Sequence, residues 1–372
     1  MIYLDNAATT FPKPRRVIRE VERCISQYCG NPGRGSHALS LAAATAIYSC
    51  REALSDYFGL HAPERVVFTQ NTTHALNFAI KGSLRPGDHV LISELEHNAV
   101  RRPICRLQQE GVIGYDIFPV VGKSNAEVLS GIQARIRSNT RAIVCTHASN
   151  ICSISLPLKE IGAFCHKQKL LFIVDAAQSA GLLPIDMTAM HIDALAVPGH
   201  KSLYGIQGCG ALLLSDRLLP CPLLEGGSGV DSEAASMPAD PPERYEAGTL
   251  PTPAIVGLLE GVRSLQNGVD REIASHEQQL FCDLRDHLCS LPHITVYAPE
   301  HVGSVLLFNK KDIPAAEVGH QLFAKGICVR TGYHCAPLAH NALGTPPGGA
   351  LRIGLGRYNT TKELDVVWQA LK

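Results

Sequence analysis

The sequence predicts an α/β protein with a parallel or mixed sheet, and three observations support this. Short β-branched runs alternate with helical patterns over the first two thirds of the chain. The run LLFIVDAA (170–177) is almost continuously apolar, as in a strand that is covered on both faces. The length of 372 residues exceeds one ordinary core, so we expect about two domains.

Six apolar runs are the candidate strands of the main sheet. In chain order they are RVVFT (65–69), HVLIS (89–93), AIVCTH (142–147), LLFIVDAA (170–177), ALAVPG (194–199) and GALLLS (210–215). Strands that alternate with helices in this way build a sheet with helices on both faces.

A segment rich in Gly, Ser and Pro, from Gly226 to about Pro253, predicts a long surface excursion before a helix that begins near Thr252. Helical stretches over 254–290 and the strand candidates TVYA, SVLLF and ICVRT then indicate a smaller α+β domain. We expect a large domain at 16–250, and a small domain made of 1–15 and 251–372.

The charge is balanced, with 34 basic and 34 acidic residues, and no run of like charge resembles a nucleic-acid or membrane-surface site. The N-terminus MIYLDNAATT has no basic or apolar leader pattern, and no stretch approaches a membrane span. The thirteen cysteines, odd in number and without a CxxC pair, indicate reduced thiols and a cytoplasmic location rather than disulfides or zinc.

Polar residues follow each apolar run, where open α/β sheets bind their ligands. After RVVFT come Thr72 and Thr73 at the start of a helix, which is typical of a phosphate cradle but also of a helix cap. After HVLIS comes His97, which could instead be a solvated loop residue. After AIVCTH comes Asn150, which could equally be a turn residue.

Two further strand ends carry residues that are costly to bury. Asp175 ends a fully apolar strand and is followed by Gln178, so even a structural role requires a hydrogen-bonded site. His200 and Lys201 follow ALAVPG, and a lysine is almost never fully buried unless it is paired or reactive.

A phosphate cradle with a strand-end Asp and a strand-end Lys predicts a site for pyridoxal 5'-phosphate (PLP). The lysine amine bonds to the cofactor aldehyde, and desolvation helps keep that amine nucleophilic. The carboxylate keeps the pyridine nitrogen protonated, so that the ring accepts electrons. At about 4 Å and an effective dielectric constant of about 20 this pair gains roughly 4 kcal/mol, or roughly three pKa units.

The chain resembles the class V aminotransferase-like PLP enzymes, specifically the cysteine desulfurases and selenocysteine lyases. The resembling motifs run in family order over nearly the whole length: YLDNAATT, NPGRGSHALS, TTHALN, EHNAV, HASN, VDAAQSAG, GHK, RYEAGT, RTGYHCAP and LRIGLGRYNT. This resemblance implies fold-type I, with a mainly parallel sheet of the seven-stranded type in the large domain.

The resemblance also implies a role for each candidate residue. For the cofactor, Lys201 would bond to the aldehyde, Asp175 would pair with the ring nitrogen, Gln178 would meet the ring hydroxyl, His97 would stack on the ring, and Thr72, Thr73 and His200 would hold the phosphate. Thr249 of RYEAGT would reach the phosphate from a second subunit, which implies a homodimer. Asn150 and Arg352 would bind the substrate carboxylate.

Cys335, in a loop bounded by Gly and Pro, is the candidate sulfur nucleophile. Composition alone makes it one of thirteen thiols, but it falls in the family pattern R-T-G-x-H-C-A with Arg352 at the expected spacing. Its proton could pass to His334 or to His97, and the sequence does not choose between them. The implied activity converts L-cysteine to L-alanine and leaves a persulfide on Cys335 for a sulfur-acceptor protein.

Three other functions stay open at this point. L-selenocysteine could be the substrate, or the chain could be a class V aminotransferase or β-elimination lyase in which Cys335 is idle. A non-catalytic or dinucleotide-binding protein is disfavoured because no G-x-G-x-x-G follows the first strand. The chain also departs from the family: Pro198 replaces a Ser or Thr near the phosphate, HKSLYGIQG lacks a usual proline, and Gly354 replaces a serine.

Overall fold

In this computed structural model, residues 1–33, 35 and 37–372 are described. Arg34 and Ser36, which belong to the motif NPGRGSHALS, lie outside the described residues. The described residues form eleven α-helices, which are α1 (Arg15–Arg23), α2 (Ala38–Tyr57), α3 (Thr72–Ser83), α4 (Asn98–Gln109), α5 (Asn125–Gln133), α6 (Leu158–Gln168), α7 (Thr252–Arg263), α8 (Val269–Cys289), α9 (Ala315–Ala324), α10 (Pro337–Ala342) and α11 (Thr361–Leu371).

The strands of the described part of the chain form three sheets. They are β1 (Ile2–Tyr3), β2 (Val66–Thr69), β3 (Asp88–Ser93), β4 (Ile113–Phe118), β5 (Thr140–Thr146), β6 (Leu171–Asp175), β7 (Ala194–Pro198), β8 (Gly210–Leu214), β9 (Ile294–Tyr297), β10 (Val305–Lys310), β11 (Ile327–Cys328), β12 (Arg330–Gly332) and β13 (Ala350–Gly354).

The large sheet has seven strands in the order β2-β8-β7-β6-β5-β3-β4, and β8 alone runs antiparallel to its neighbours. This confirms the predicted α/β class and all six predicted strands. The sequence analysis missed the edge strand β4, because its sequence IGYDIF carries a glycine and an aspartate and is only half-buried.

Alternating side chains of the large sheet enter two separate cores. Phe172 and Val174 of β6 lie in one core, and Leu171 and Ile173 lie in the other. Helices α3 and α4 cover the second face, whereas α2, α6 and α7 cover the first. Since both faces of the central strands are apolar, the polar residues of strands such as β6 and β7 lie at or beyond the strand ends.

The small sheet is antiparallel, in the order β12-β13-β10-β9, and it has its own core with α8, α9 and α11. The predicted strand ICVRT proved wrong as a single strand. It divides into β11, which pairs with β1, and β12, which pairs with β13. Cys328 therefore pairs with the N-terminal segment, whereas Arg330 lies opposite Arg352 in the small sheet.

The helix that was expected near Thr252 is α7, and it packs on α1 and α2. Its residues Ile255, Leu258 and Val262 belong to a core of the large sheet. The predicted domain division at residues 250 and 251 stays a prediction.

The segment from Gly226 to Leu250 consists of turns and irregular backbone, as its composition predicts. Among the described helices, none combines the length and the apolar character that a membrane span requires.

Candidate active site

The strand ends of the large sheet meet in one cavity of about 510 Å³. Strands β2, β3, β5, β6 and β7 point their carboxyl ends to the same edge. Eight of the predicted site residues line this cavity: Thr72, Thr73, His97, Asn150, Asp175, Gln178, His200 and Lys201. The topology of the sheet thus brings together residues that are up to 129 positions apart, from Thr72 to Lys201.

One end of the cavity has the features of a phosphate site. Asn71, and not Thr72 or Thr73, caps α3, because its side chain accepts the His74 N–H at 2.9 Å. The Thr72 hydroxyl is consequently free of a capping role. Thr72 Oγ1 and His200 Nδ1 are both buried, and neither has a hydrogen-bond partner among the described residues. Two unpartnered polar atoms beside a helix N-terminus fit a phosphate group.

Asp175 and Lys201 lie at the other side of the cavity. Burial has the largest effect on Asp175, and the pKa of this carboxyl is raised. Two contacts act in the opposite direction: the Ala177 N–H, which donates to Oδ1 at 2.9 Å, and the charge of Lys201. Burial has the largest effect on Lys201, and the pKa of this lysine is lowered to about 8. The charge of Asp175 acts in the opposite direction. A lysine with this pKa has a substantial neutral fraction near pH 8, so its nitrogen can act as a nucleophile or a base.

His97 and Gln178 are fixed by backbone contacts. His97 caps α4, and its Nδ1 accepts the Ala99 N–H at 3.0 Å, so the proton of the neutral ring is on Nε2. Burial and the Lys201 charge lower the pKa of His97 to about 4. Gln178 Nε2 donates to the Ala7 carbonyl at 3.0 Å, which ties the side chain to the N-terminal segment.

Arg352 reaches this region from the small sheet. It is buried, its NH2 nitrogen is 2.7 Å from Asp5 Oδ1, and its NH1 donates to the Asn150 carbonyl at 3.1 Å. The Arg352 Nε has no partner among the described residues. The buried guanidinium is therefore oriented from two sides and keeps unused donor capacity for a carboxylate.

Cys335 lies on a strained turn that is docked against the cavity. Both His334 and Cys335 have positive φ angles, 49° and 58°, which non-glycine residues adopt rarely and mostly at functional sites. The Cys335 carbonyl accepts the Asn98 N–H at 2.7 Å, and the His334 carbonyl accepts Asn150 Nδ2 at 2.8 Å. The thiol-bearing residue is exposed between a buried His334 and a buried Ala336.

The contacts of His334 do not favour it as the acceptor of the Cys335 thiol proton. Its Nδ1 is 3.3 Å from His340 Nε2, and its Nε2 is 3.3 Å from the Arg330 carbonyl. Burial lowers the pKa of His334 to about 3. Because the free nitrogen of His97 carries the proton, His97 is a donor in this arrangement and not an acceptor.

Thr249 lies apart from the other site residues. It is exposed and lines a different surface cavity, together with Tyr48 and Gly229. The preceding Glu246 forms a buried ion pair with Arg51, and Glu246 Oε1 accepts the Phe68 N–H at 2.7 Å. The segment that carries Thr249 is therefore fixed to β2, but its hydroxyl does not enter the cavity of its own chain.

The sequence analysis missed three residues of the site. Asp5 orients Arg352, and it could have been suspected from its place in YLDNAATT. Lys13 Nζ donates to the His200 carbonyl at 2.6 Å, and burial lowers its pKa to about 8. Glu96 is fully buried, its Oε1 accepts the Thr146 N–H at 2.9 Å, and burial raises its pKa to about 8.

The structure shows the surroundings of two residues, Pro198 and Gly354, at which the sequence departs from the family pattern. Pro198 lines the cavity, and its ring offers no donor to a phosphate. Gly354 lies against the N-terminal segment, since a Cβ atom there would be 2.6 Å from the Ala7 nitrogen. Any larger residue at position 354 would displace the segment that contacts Gln178.

Comparison with known proteins identifies what the chain is similar to. The family model described as aminotransferase class-V matches residues 2–367. A probable cysteine desulfurase of Methanothermobacter thermautotrophicus is 33% identical over 100% of this chain and 94% of its own length. A cysteine desulfurase of Dickeya dadantii is 32% identical over 98% of this chain and 90% of its own length.

Two solved structures are also similar over nearly the whole chain. The apo structure of a cysteine desulfurase from Thermococcus onnurineus NA1 has a TM-score of 0.90 and 27% identity, covering 100% of this chain and 93% of that one. The cysteine desulfurase CsdA from Escherichia coli has a TM-score of 0.88 and 26% identity, covering 99% and 93%.

Proposed function

This chain belongs to the aminotransferase class-V family, and from that premise we propose that it is a PLP-dependent cysteine desulfurase that converts L-cysteine to L-alanine. One observation carries the proposal. Cys335 is exposed on a turn whose backbone is bonded to Asn98, at the start of α4, and to Asn150, which lines the cavity of Lys201. A lysine alone would suit many activities, whereas a lysine with a docked thiol suits sulfur transfer.

The described residues fit PLP. Thr72, Thr73 and His200 would hold the phosphate, Asp175 the ring nitrogen, Gln178 the ring hydroxyl, His97 one face of the ring, and Lys201 the aldehyde carbon. Bound PLP supplies an electron sink that weakens the substrate bonds at Cα and Cβ. The fit rests on the unpartnered Thr72 and His200 atoms and on the buried Asp175–Lys201 pair.

The chain's own groups then have distinct tasks. Arg352, held by Asp5 and by the Asn150 backbone carbonyl, orients the substrate through its carboxylate. Lys201, with its pKa near 8, takes the proton from the substrate Cα and returns a proton when alanine forms. His97, which also lines the cavity, has Nε2 as its hydrogen-bond donor.

Cys335 performs the sulfur step. Its Sγ attacks the substrate sulfur, a new S–S bond forms and the substrate Cβ–S bond breaks, with the bonding electrons passing to the substrate carbon framework. The products are a persulfide on Cys335 and, after protonation, L-alanine. Because Cys335 is exposed, its thiol proton can pass to water.

The proposal includes three further parts. The assembly is a homodimer in which Thr249 completes the partner's phosphate site, since this residue lies outside its own cavity. The persulfide is passed to a sulfur acceptor. The location is cytoplasmic, which suits thirteen free cysteines.

The second candidate substrate is L-selenocysteine, because the same groups could release selenium.

The test is alanine release from L-cysteine and L-selenocysteine by the wild type and by Cys335→Ser. A serine hydroxyl forms no persulfide, so alanine release from cysteine should fall at least about 100-fold while the absorbance of the bound cofactor still responds to cysteine. Cys29→Ser, another exposed thiol, is the control and should retain activity. Undiminished cysteine turnover in Cys335→Ser would instead indicate a class V lyase or aminotransferase in which Cys335 is idle.

A further inference from the structure

A basic groove of about 470 Å³ lies beside the Cys335 turn, and nothing in the proposed reaction uses it. Arg101, Arg102 and Arg106 of α4 line it together with Asn98 and Pro337. We call these five residues the arginine groove. Its volume lies within the range of roughly 300–1,000 Å³ that is typical of small-molecule sites.

One end of the arginine groove adjoins the reactive turn. Asn98, at the start of α4, donates its backbone N–H to the Cys335 carbonyl at 2.7 Å. Pro337 is two residues beyond Cys335 and begins α10. A molecule in the groove would consequently lie next to the turn that carries Cys335.

Two of the three groove arginines are not neutralised by neighbouring acids. Arg106 is paired with Glu110 at 2.6 Å, whereas Arg101 and Arg102 form no salt bridge with any residue that the structure describes. Arg102 and Arg106 are four residues apart on one helix, where like charges are unfavourable to helix stability. Since the whole chain has equal numbers of basic and acidic residues, this local excess of positive charge requires another explanation.

We propose that the arginine groove binds the carboxylates of a small anionic thiol, which is the second substrate of the enzyme. The inference rests on the proposed function, because it assigns the acceptor of the Cys335 persulfide. The acceptor thiolate attacks the outer sulfur of that persulfide. A new S–S bond forms on the acceptor, the S–S bond to Cys335 breaks, and Cys335 leaves as its thiolate.

The experiment separates loading from discharge. Holoenzyme is loaded with L-[35S]cysteine, freed of excess substrate, and mixed with one of three thiols: mercaptosuccinate, which is a dianion, 2-mercaptoethanol, which is neutral, or cysteamine, which is a cation. The loss of label from Cys335 is then timed. The rate of the double variant Arg101→Gln/Arg106→Gln is divided by that of the wild type for each thiol, so the intrinsic reactivity of each thiol cancels.

The variant should discharge mercaptosuccinate roughly tenfold more slowly, change the rate with 2-mercaptoethanol by less than about twofold, and react faster with cysteamine. Added salt should reduce the wild-type rate with mercaptosuccinate, because surface charges are screened over about 8 Å at physiological ionic strength. Arg101→Lys/Arg106→Lys retains the charge and should retain the preference. Arg271→Gln/Lys159→Gln removes two exposed charges outside the groove and should change none of the three ratios.

Two results would overturn the inference while leaving the proposed function intact. In the first, Cys335 acquires label but the ratio of variant to wild-type discharge rate is the same for all three thiols. In the second, the variant discharges slowly with every thiol alike. Failure of the wild-type holoenzyme to acquire label on Cys335, in an assay where alanine forms, would contradict the sulfur nucleophile itself. In that case the proposed acceptor site would also be wrong, because it depends on a persulfide on Cys335.

Discussion

At the scale of single residues, the side chain of Lys201 owes its chemistry to its surroundings. Burial lowers the pKa of Lys201 to about 8. The charges of Asp175 and Asp5 partly oppose this shift, whereas the charges of Arg352 and Arg330 reinforce it. The cations of the substrate site thus favour the neutral amine that a base must have. Burial, and to a smaller extent the charges of Lys201 and of these arginines, lower the pKa of His97 to about 4, so that ring is neutral.

Replacing Lys201 tests this assignment. Lys201→Ala should lower alanine release from cysteine by at least about 1,000-fold, because both the attachment point and the proton-transfer group are lost. Borohydride should fix the cofactor to the Lys201 peptide in the wild type and to no peptide in the variant, as mass spectrometry would show. Lys167→Ala, an exposed lysine on α6, is the control. A wild-type rate in Lys201→Ala would refute the PLP assignment.

Glu277 of α8 is a buried carboxyl that the proposed reaction does not use. It is 2% exposed, and its Oε2 has no hydrogen-bond partner among the described residues. Burial raises its pKa from 4.5 to about 8, against the attraction of Arg357. The folded protein therefore binds a proton that the unfolded chain releases between these two pH values, so this group makes stability fall as pH rises through that window.

We predict that Glu277→Gln removes this part of the pH dependence. Between pH 5 and pH 8 the free energy of unfolding of the wild type should decrease relative to that of the variant by roughly 1–3 kcal/mol. Urea unfolding at four pH values measures it. Glu272→Gln, an exposed carboxylate on the same helix, should give a curve parallel to that of the wild type. Parallel curves for the wild type and Glu277→Gln would contradict the assigned protonation.

At the scale of elements, one buried ion pair connects α2, β2 and the segment that leads to Thr249. Arg51 of α2 and Glu246 have side chains that are each 7% exposed, and Arg51 NH1 is 2.8 Å from Glu246 Oε1. Glu246 also receives the Phe68 N–H, and Arg51 donates to the Val66 carbonyl. The pair thus fixes α2, β2 and the Thr249 segment relative to one another.

Removing one partner of this pair leaves the other charge buried. Arg51→Met should lower the free energy of unfolding by roughly 3–5 kcal/mol, since Glu246 would lose its cation in a dry site. Arg16→Met is the matched control, because Arg16 also pairs with a glutamate but its side chain is 49% exposed. The control should cost about 1 kcal/mol or less. Equal losses in both variants would show that the buried pair contributes no more than a surface one.

At the scale of the whole molecule, the site forms where the two sheets approach each other. Arg352 belongs to the small sheet but contacts Asn150, which follows β5 of the large sheet, and the Cys335 turn bonds to Asn98. The N-terminal segment closes the third side through Asp5 and Ala7. Separation of these parts would leave the cofactor residues together but would remove the substrate arginine and the thiol.

Mixing two inactive variants tests the proposed assembly. Thr249→Ala should be severely impaired, because Thr249 would complete the phosphate site of the partner subunit. Under subunit exchange, Lys201→Ala and Thr249→Ala should together regain up to about a quarter of wild-type activity, because one site of the mixed dimer carries both native residues. No regained activity, with mass spectrometry showing that subunits exchange, would count against composite sites.

The amino-acid sequence by itself determined the fold class, six strands of the large sheet and eight of the residues that line the cavity. This was possible because alternation and strand ends are local features: a polar residue after an apolar run lies at the sheet edge, whatever the strand order. The order of the motifs identified the family, whose model matches residues 2–367.

Only the tertiary structure decided how these residues face one another. It showed that Asn71 caps α3 and frees Thr72, that His334 turns toward His340, and that ICVRT divides between two sheets. It also brought Asp5 to Arg352 and Arg101 to the neighbourhood of Cys335. These contacts join residues far apart in sequence, and they depend on how separately formed cores pack together, which no local pattern encodes.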